Sequence, residues 1–129
     1  MTFTPEQLRS FAEAGGWSVV WKLDHYALTK PNGEIVQGFA DEGTSADIKR
    51  RIEIALLPDF PNDLAACFEV LEHVSQVYQL NKVHPDDVAQ YGQYELAIYT
   101  PFSPTRNGDT KQAAIIAAVL AAKEANDRH

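Results

Sequence analysis

LPDFPNDLAACFEVLEHV, residues 57–74, runs a proline-bearing turn into an amphipathic helix. Pro58 and Pro61 stop whatever helix precedes them, because proline lacks the amide proton that continues the hydrogen-bond ladder. Asn62 or Asp63 then caps a new helix, and a carboxylate there also meets the positive end of the helix dipole. Leu64, Cys67, Phe68 and Leu71 fall on one stripe, while Glu69, Glu72 and His73 face away from it. The turn also holds two carboxylates, Asp59 and Asp63, and no other stretch of the chain looks more like a site. A cap explains Asp63 and a turn explains Asp59, so the structural reading is preferred to acid–base use. Both remain candidate binding residues.

Upstream, Thr44 or Ser45 caps a helix over 46–57, with Ile48, Ile52, Ala55 and Leu56 on one side. A polar loop, Ala40 to Thr44, precedes it. Before the loop come three strands. In the first, Trp17, Val19, Trp21 and Leu23 alternate with mostly more polar neighbours, the period of a half-buried strand. Tyr26 to Lys30 and Glu34 to Phe39 flank Pro31-Asn32-Gly33, a turn sequence that reads as a hairpin. At the start, Thr4-Pro5-Glu6-Gln7 has the form of a capping box, and Gly15-Gly16 ends the helix that it opens.

Downstream, strands near Val77 to Val83 and Gln93 to Thr100 are separated by the turn His84-Pro85-Asp86-Asp87. A loop spans Pro101 to Gly108. Asp109 opens the last helix with an Asp-x-x-Gln112 box, and the helix runs to about Ala125. Helices mixed with strands paired as hairpins predict an α+β fold: an antiparallel sheet with helices packed on its faces, sandwich-like, in a single domain over 1–129.

The composition is that of an ordinary globular domain, with 129 residues, 45% hydrophobic and 22% charged. A net charge of −7 argues against nucleic acid and anionic membranes. Lys49, Arg50 and Arg51 lie between acids on a helix and read as a solvated face. A lone cysteine, Cys67, excludes an internal disulfide and fits a reducing cytoplasm. No signal peptide is expected. The longest apolar run, Ala113 to Ala122, has ten residues where a membrane span needs about 20.

Few residues point to chemistry. No Gly-x-Ser-x-Gly elbow and no glycine-rich phosphate loop is present. Cys67 sits on an apolar stripe, as a core thiol does. His84, Asp86 and Asp87 are ordinary turn residues, and no His or Cys spacing supports a metal site; no cofactor is expected. Asp24 and His25, as strand neighbours, point to opposite faces unless the strand breaks there. Trp17 and Trp21 are candidate ligand-platform residues, although aromatics at period two usually build a core. Tyr78, Tyr91, Tyr94 and Tyr99 form a later aromatic group.

Residues 57–66, Leu-Pro-Asp-Phe-Pro-Asn-Asp-Leu-Ala-Ala, followed by Val70 and Glu72, resemble the central signature of small phage and prophage proteins with the phage ABA sandwich domain. Ala-Glu-Ala-Gly-Gly-Trp17, the Pro-Asn-Gly33 hairpin and the Ala-rich last helix begun by Thr110-Lys-Gln-Ala agree with it. Asp41 to Ile54 and Tyr78 to Thr100 lie outside the resemblance. It implies a sheet with helices on both faces, a phage or prophage origin and no catalytic residues. The expected function is a non-enzymatic accessory protein that binds a host protein or a small molecule, one version being a nucleotide signal of host defence. Alternatives are a small hydrolase, in which residues from Asp24, His25, Asp59, Asp63, His73, His84 and Asp87 converge, and a structural or assembly protein.

The last helix is apolar all round. Ala113, Ile116, Ala117 and Leu120 make one stripe; Ala114, Ile115, Ala118 and Val119 make another, too wide for one sheet to cover. The second cover is either another helix of the same chain, such as the one over 46–57, or the same helix of a second subunit. A homodimer through Ile115 and Val119 is the expectation.

Overall fold

The chain is described by a computed structural model for residues 3–40, 45–99 and 105–127. Its last helix, α5 (Lys111–Asp127), is the element on which the main core is built. Ala114, Ile115, Ile116 and Ala118 are wholly buried and Val119 is 1% exposed. Two covers account for this. One is an antiparallel sheet of β4 (Tyr78–Lys82), β5 (Tyr94–Ile98) and β6 (Thr105–Gly108), in that order. The other is a helix pair, α1 (Pro5–Ala14) and α3 (Leu64–Val74). Thus Ile115 and Val119, expected at a dimer interface, lie inside the single chain, and no second subunit is needed to cover them. Nor does the helix over 46–57 supply the cover: α2 (Ala46–Leu56) packs on α1 instead.

Leu71, Leu96, Ile98 and Val70 complete this core, each contributing roughly 1.5–3 kcal/mol by leaving water. Phe11 of α1 meets Phe60 edge to face, with centroids 4.9 Å apart. Phe60 belongs to the proline-rich turn, which closes as a short 3-10 segment, Phe60–Asn62. Asp63 caps α3 by accepting from the Ala66 amide at 3.0 Å, and Asn62 Nδ2 donates to Asp59 at 2.9 Å. The turn therefore delivers a core aromatic and starts a helix.

Strand β6 occupies the end of what the sequence marked as a loop. Asn107-Gly108 is not a turn there. A Cβ on Gly108 would meet the Ala114 nitrogen at 2.5 Å, so the glycine lets the strand end abut α5. Thr110, not Asp109, caps α5, accepting from the Ala113 amide at 3.0 Å. Between β4 and β5, the expected His84–Asp87 turn winds into a 3-10 segment and a one-turn helix, α4 (Val88–Tyr91).

A second antiparallel sheet joins β1 (Ser18–Lys22), β2 (His25–Thr29) and β3 (Ile35–Phe39) in sequence order. Its β2–β3 turn is the expected hairpin, with Gly33 at φ 89° and Asn32 Oδ1 accepting from the Glu34 amide. The α+β class and antiparallel pairing foreseen from the sequence are present, distributed over two three-stranded sheets instead of one. Residues 41–44 and 100–104, which include most of one expected loop and part of another, lie outside the described residues. Among the described residues, no helix is long and apolar enough to cross a membrane.

Candidate functional site

The sheet β1–β3 has two unlike faces. Strand register puts Val19–Leu28–Val36 and Trp21–Tyr26–Gly38 in rows on the inner one. Tyr26 lies across Gly38, where any Cβ would collide with its ring. Trp21 packs against Tyr26 with centroids 5.4 Å apart and reaches α2 beyond the sheet.

A buried carboxylate makes that junction. Glu53 of α2 is only 3% exposed. Its Oε1 accepts from Trp21 Nε1 at 2.8 Å, and its Oε2 lies 2.9 Å from Arg9 Nη1 of α1. The Oε2 contact is an ion pair without a well-aligned hydrogen bond. Glu6, Arg50 and these two residues line a cleft of about 20 Å³, space for one water. Lys49 adds to the hold, lying 5.1 Å over the Trp21 ring and donating to the Leu23 carbonyl at 2.9 Å. The sequence stripe on α2 named Ile48 as inward, yet Ile48 is exposed and Glu53 is the residue inside. Trp21 and Arg9 reverse the usual cost of burying a charge, because they supply a donor and a counter-ion.

Three cross-strand rows form the outer face: Ser18–Thr29–Ile35, Val20–Ala27–Gln37 and Lys22–His25–Phe39. Val20, Ile35 and Phe39 are 63%, 59% and 71% exposed. Scattered single apolar residues are ordinary on a surface, but these share one flat face. Beside them, Leu23 at the β1–β2 turn is 83% exposed and has φ 57°. The left-handed conformation costs a leucine on the order of 1 kcal/mol, and the side chain gains no burial in return. The turn is held in place by the Lys49 bond and by Ala40 N donating to the Asp24 carbonyl at 2.7 Å. Edges β1 and β3 border the face. None of the three strands contains Asp or Glu, in a chain of net charge −7.

The other sequence candidates are dispersed. Trp17 packs against the main core and Trp21 lies beneath α2, so the two do not form an open platform. Asp59 and Asp63 are engaged at the start of α3, and His73 is in the last turn of that helix, roughly 15 Å away by its rise. Asp24 and His25 do touch, at 3.4 Å, because the turn breaks the strand between them; the pair is solvent-facing. His84 Nδ1 accepts from the Asp86 amide within its own turn. The Cys67 thiol donates to the Phe60 carbonyl at 3.1 Å and is pushed up to about 12 by burial and by the nearby Asp63 charge. Among the described residues, no group of His, Cys, Asp and Glu is placed to hold a metal ion.

Sequence reasoning overlooked Glu53, Arg9 and the outer face. The signal for the face was in plain view: Val20 interrupts the alternation of β1, and a strand with apolar residues on both sides wants two covers. No family model, curated protein or solved structure matches the chain.

Proposed function

We propose that the chain is a phage or prophage accessory protein that works without catalysis, by holding a host protein against the outer face of β1–β3. The observation that carries this reading is the exposed row set around Val20, Ile35 and Phe39, continued by a strained Leu23 at its end. Strain kept at an exposed apolar residue is a hallmark of a contact surface rather than of packing. Phe39 supplies an aromatic anchor of the kind enriched in such interfaces, with Leu23 beside it, and Lys22 and His25 supply the rim. The strands of the face carry no Asp or Glu, which suits a partner presenting apolar side chains with carboxylates beside them. A second copy of this acidic chain is the poorer fit, since the rest of its surface repels its twin. The phage origin, and with it a partner in the bacterial cytoplasm, rests on the resemblance carried by residues 57–74.

A photo-crosslinking residue at Phe39, with the same residue at Glu69 of α3 as control, tests this in host lysate. One host protein should be captured from Phe39 and not from Glu69. Titrated as a purified protein, it should bind Phe39→Ser at least tenfold more weakly than the parent, while Glu69→Ser is unchanged. Equal affinity of all three chains would defeat the proposal.

A further inference from the structure

The β4–β6 sheet turns its own outer face to solvent, and one row there differs from the rest. Asn81, Glu95 and Asn107 are directly paired across the three strands, an amide, a carboxylate and an amide side by side. The 3-10 segment Pro85–Asp87 and α4 rise at the end of this row and bring Tyr91 and His84 to its edge. Together they line an open cleft of about 300 Å³, at the lower end of the range for small-molecule sites.

We infer that this cleft binds a neutral polyhydroxylated ligand, a single sugar ring. The polar groups determine the class. Glu95 and Asp87 accept hydrogen bonds; the Asn81 and Asn107 amides donate them. His84 Nδ1 accepts from the Asp86 amide, which leaves the proton of the neutral ring on Nε2 as a further donor. An anion would meet two carboxylates. A hydroxyl both donates and accepts, so vicinal hydroxyls satisfy such a mixed set, and planar amide and carboxylate groups suit neighbouring hydroxyls in pairs. Glu95 is half-buried and, among the described residues, has no hydrogen-bond or ion-pair partner, so its carboxylate is free to accept from a ligand hydroxyl. Tyr91 is half-exposed at the edge, and its electron-rich face is a platform for the C–H face of a pyranose. The site is separate from the protein-docking face, since it lies on the other sheet.

NMR titration of the ¹⁵N-labelled protein with glucose, galactose, mannose and N-acetylglucosamine tests the inference, with inorganic phosphate and choline as the anionic and cationic probes. At least one sugar should shift the Asn81 and Asn107 side-chain amides saturably at millimolar concentration. Tyr91→Ala and Glu95→Gln, both at solvent-reachable positions, should each weaken that sugar at least fivefold while the backbone spectrum stays folded. Failure of every sugar to shift these amides would overturn the inference. So would a stronger response to phosphate or choline, or affinities unchanged in both variants.

Discussion

The two sheets of this chain solve the same problem in opposite ways. β4–β6 gives its apolar face to α5, a helix apolar all round, and α1 and α3 close the far side, so the layer is sealed without a charged group at its centre. β1–β3 is joined through Trp21 to α2, a helix whose one fully inward side chain is a glutamate, and leaves Val20, Ile35 and Phe39 outside. Apolar burial is non-directional and tolerates sliding; a carboxylate shared by an indole and a guanidinium holds only in one geometry. The difference matches the division proposed above, the first region for stability and the second for presentation, with the polar latch orienting a sheet whose apolar residues stay outside.

The sharpest way to break the comparison is to put a charge into the sealed region. Val119→Glu should cost more than about 4 kcal/mol, since an unpaired carboxylate would sit in a site that is 1% exposed. Circular dichroism should find the variant unfolded at 25 °C. A folded, monomeric Val119→Glu from a dimeric parent would instead return that residue to a subunit interface.

Cys67 probes the same core through pH. Its thiol is held at about 12 against an ordinary 9.0, so the folded chain keeps a proton that the unfolded chain has lost. The stabilisation is therefore fully present below pH 9 and is lost as pH rises, by about 1.4 kcal/mol per unit from 9 towards 12. Urea titrations at pH 8, 9.5 and 10.5 should show this slope in the parent and lack it in Cys67→Ala. A slope that survives the substitution would assign it to other groups.

Weakening the latch should have a smaller and more local effect. Arg9→Ala leaves Glu53 inside without its counter-ion; because the Arg9 side chain is 43% exposed, water replaces part of the loss, and about 1–3 kcal/mol is expected. Hydrogen exchange should accelerate in β1–β3 and α2 and stay slow in α5. Acceleration spread evenly over both regions would mean that they open as one unit.

The smallest effect has the most telling sign. Leu23→Gly removes the left-handed strain and should raise stability by up to about 1 kcal/mol. The same change should weaken host-protein binding several-fold, because the exposed side chain goes with the strain. A Leu23→Gly chain that is more stable and binds undiminished would make Leu23 an ordinary turn residue.

Residues 57–74 were legible because each local preference agrees with the others: proline stops, Asp63 caps, and the stripe of α3 faces the core. The capping box of α1 and the Asn32-Gly33 hairpin were legible for the same reason. What escaped was set at a distance. The burial of Glu53 depends on Arg9 and Trp21, 44 and 32 positions away in sequence, and no helical periodicity encodes that. Ile115 and Val119 announced a second cover for α5 correctly, but whether the cover is another helix or another chain depends on topology. Asn107-Gly108 shows a turn-forming pair overruled by packing, where the glycine serves a close approach to α5.

Hydrogen exchange on the chain with and without the host protein captured from Phe39 tests the central claim most directly. The account predicts new protection at the amides of β1–β3 and of the Leu23 turn, with α5 and β4–β6 unchanged. A footprint on β4–β6 or on the α1–α5 surface, with β1–β3 exchanging as in the free chain, would contradict it.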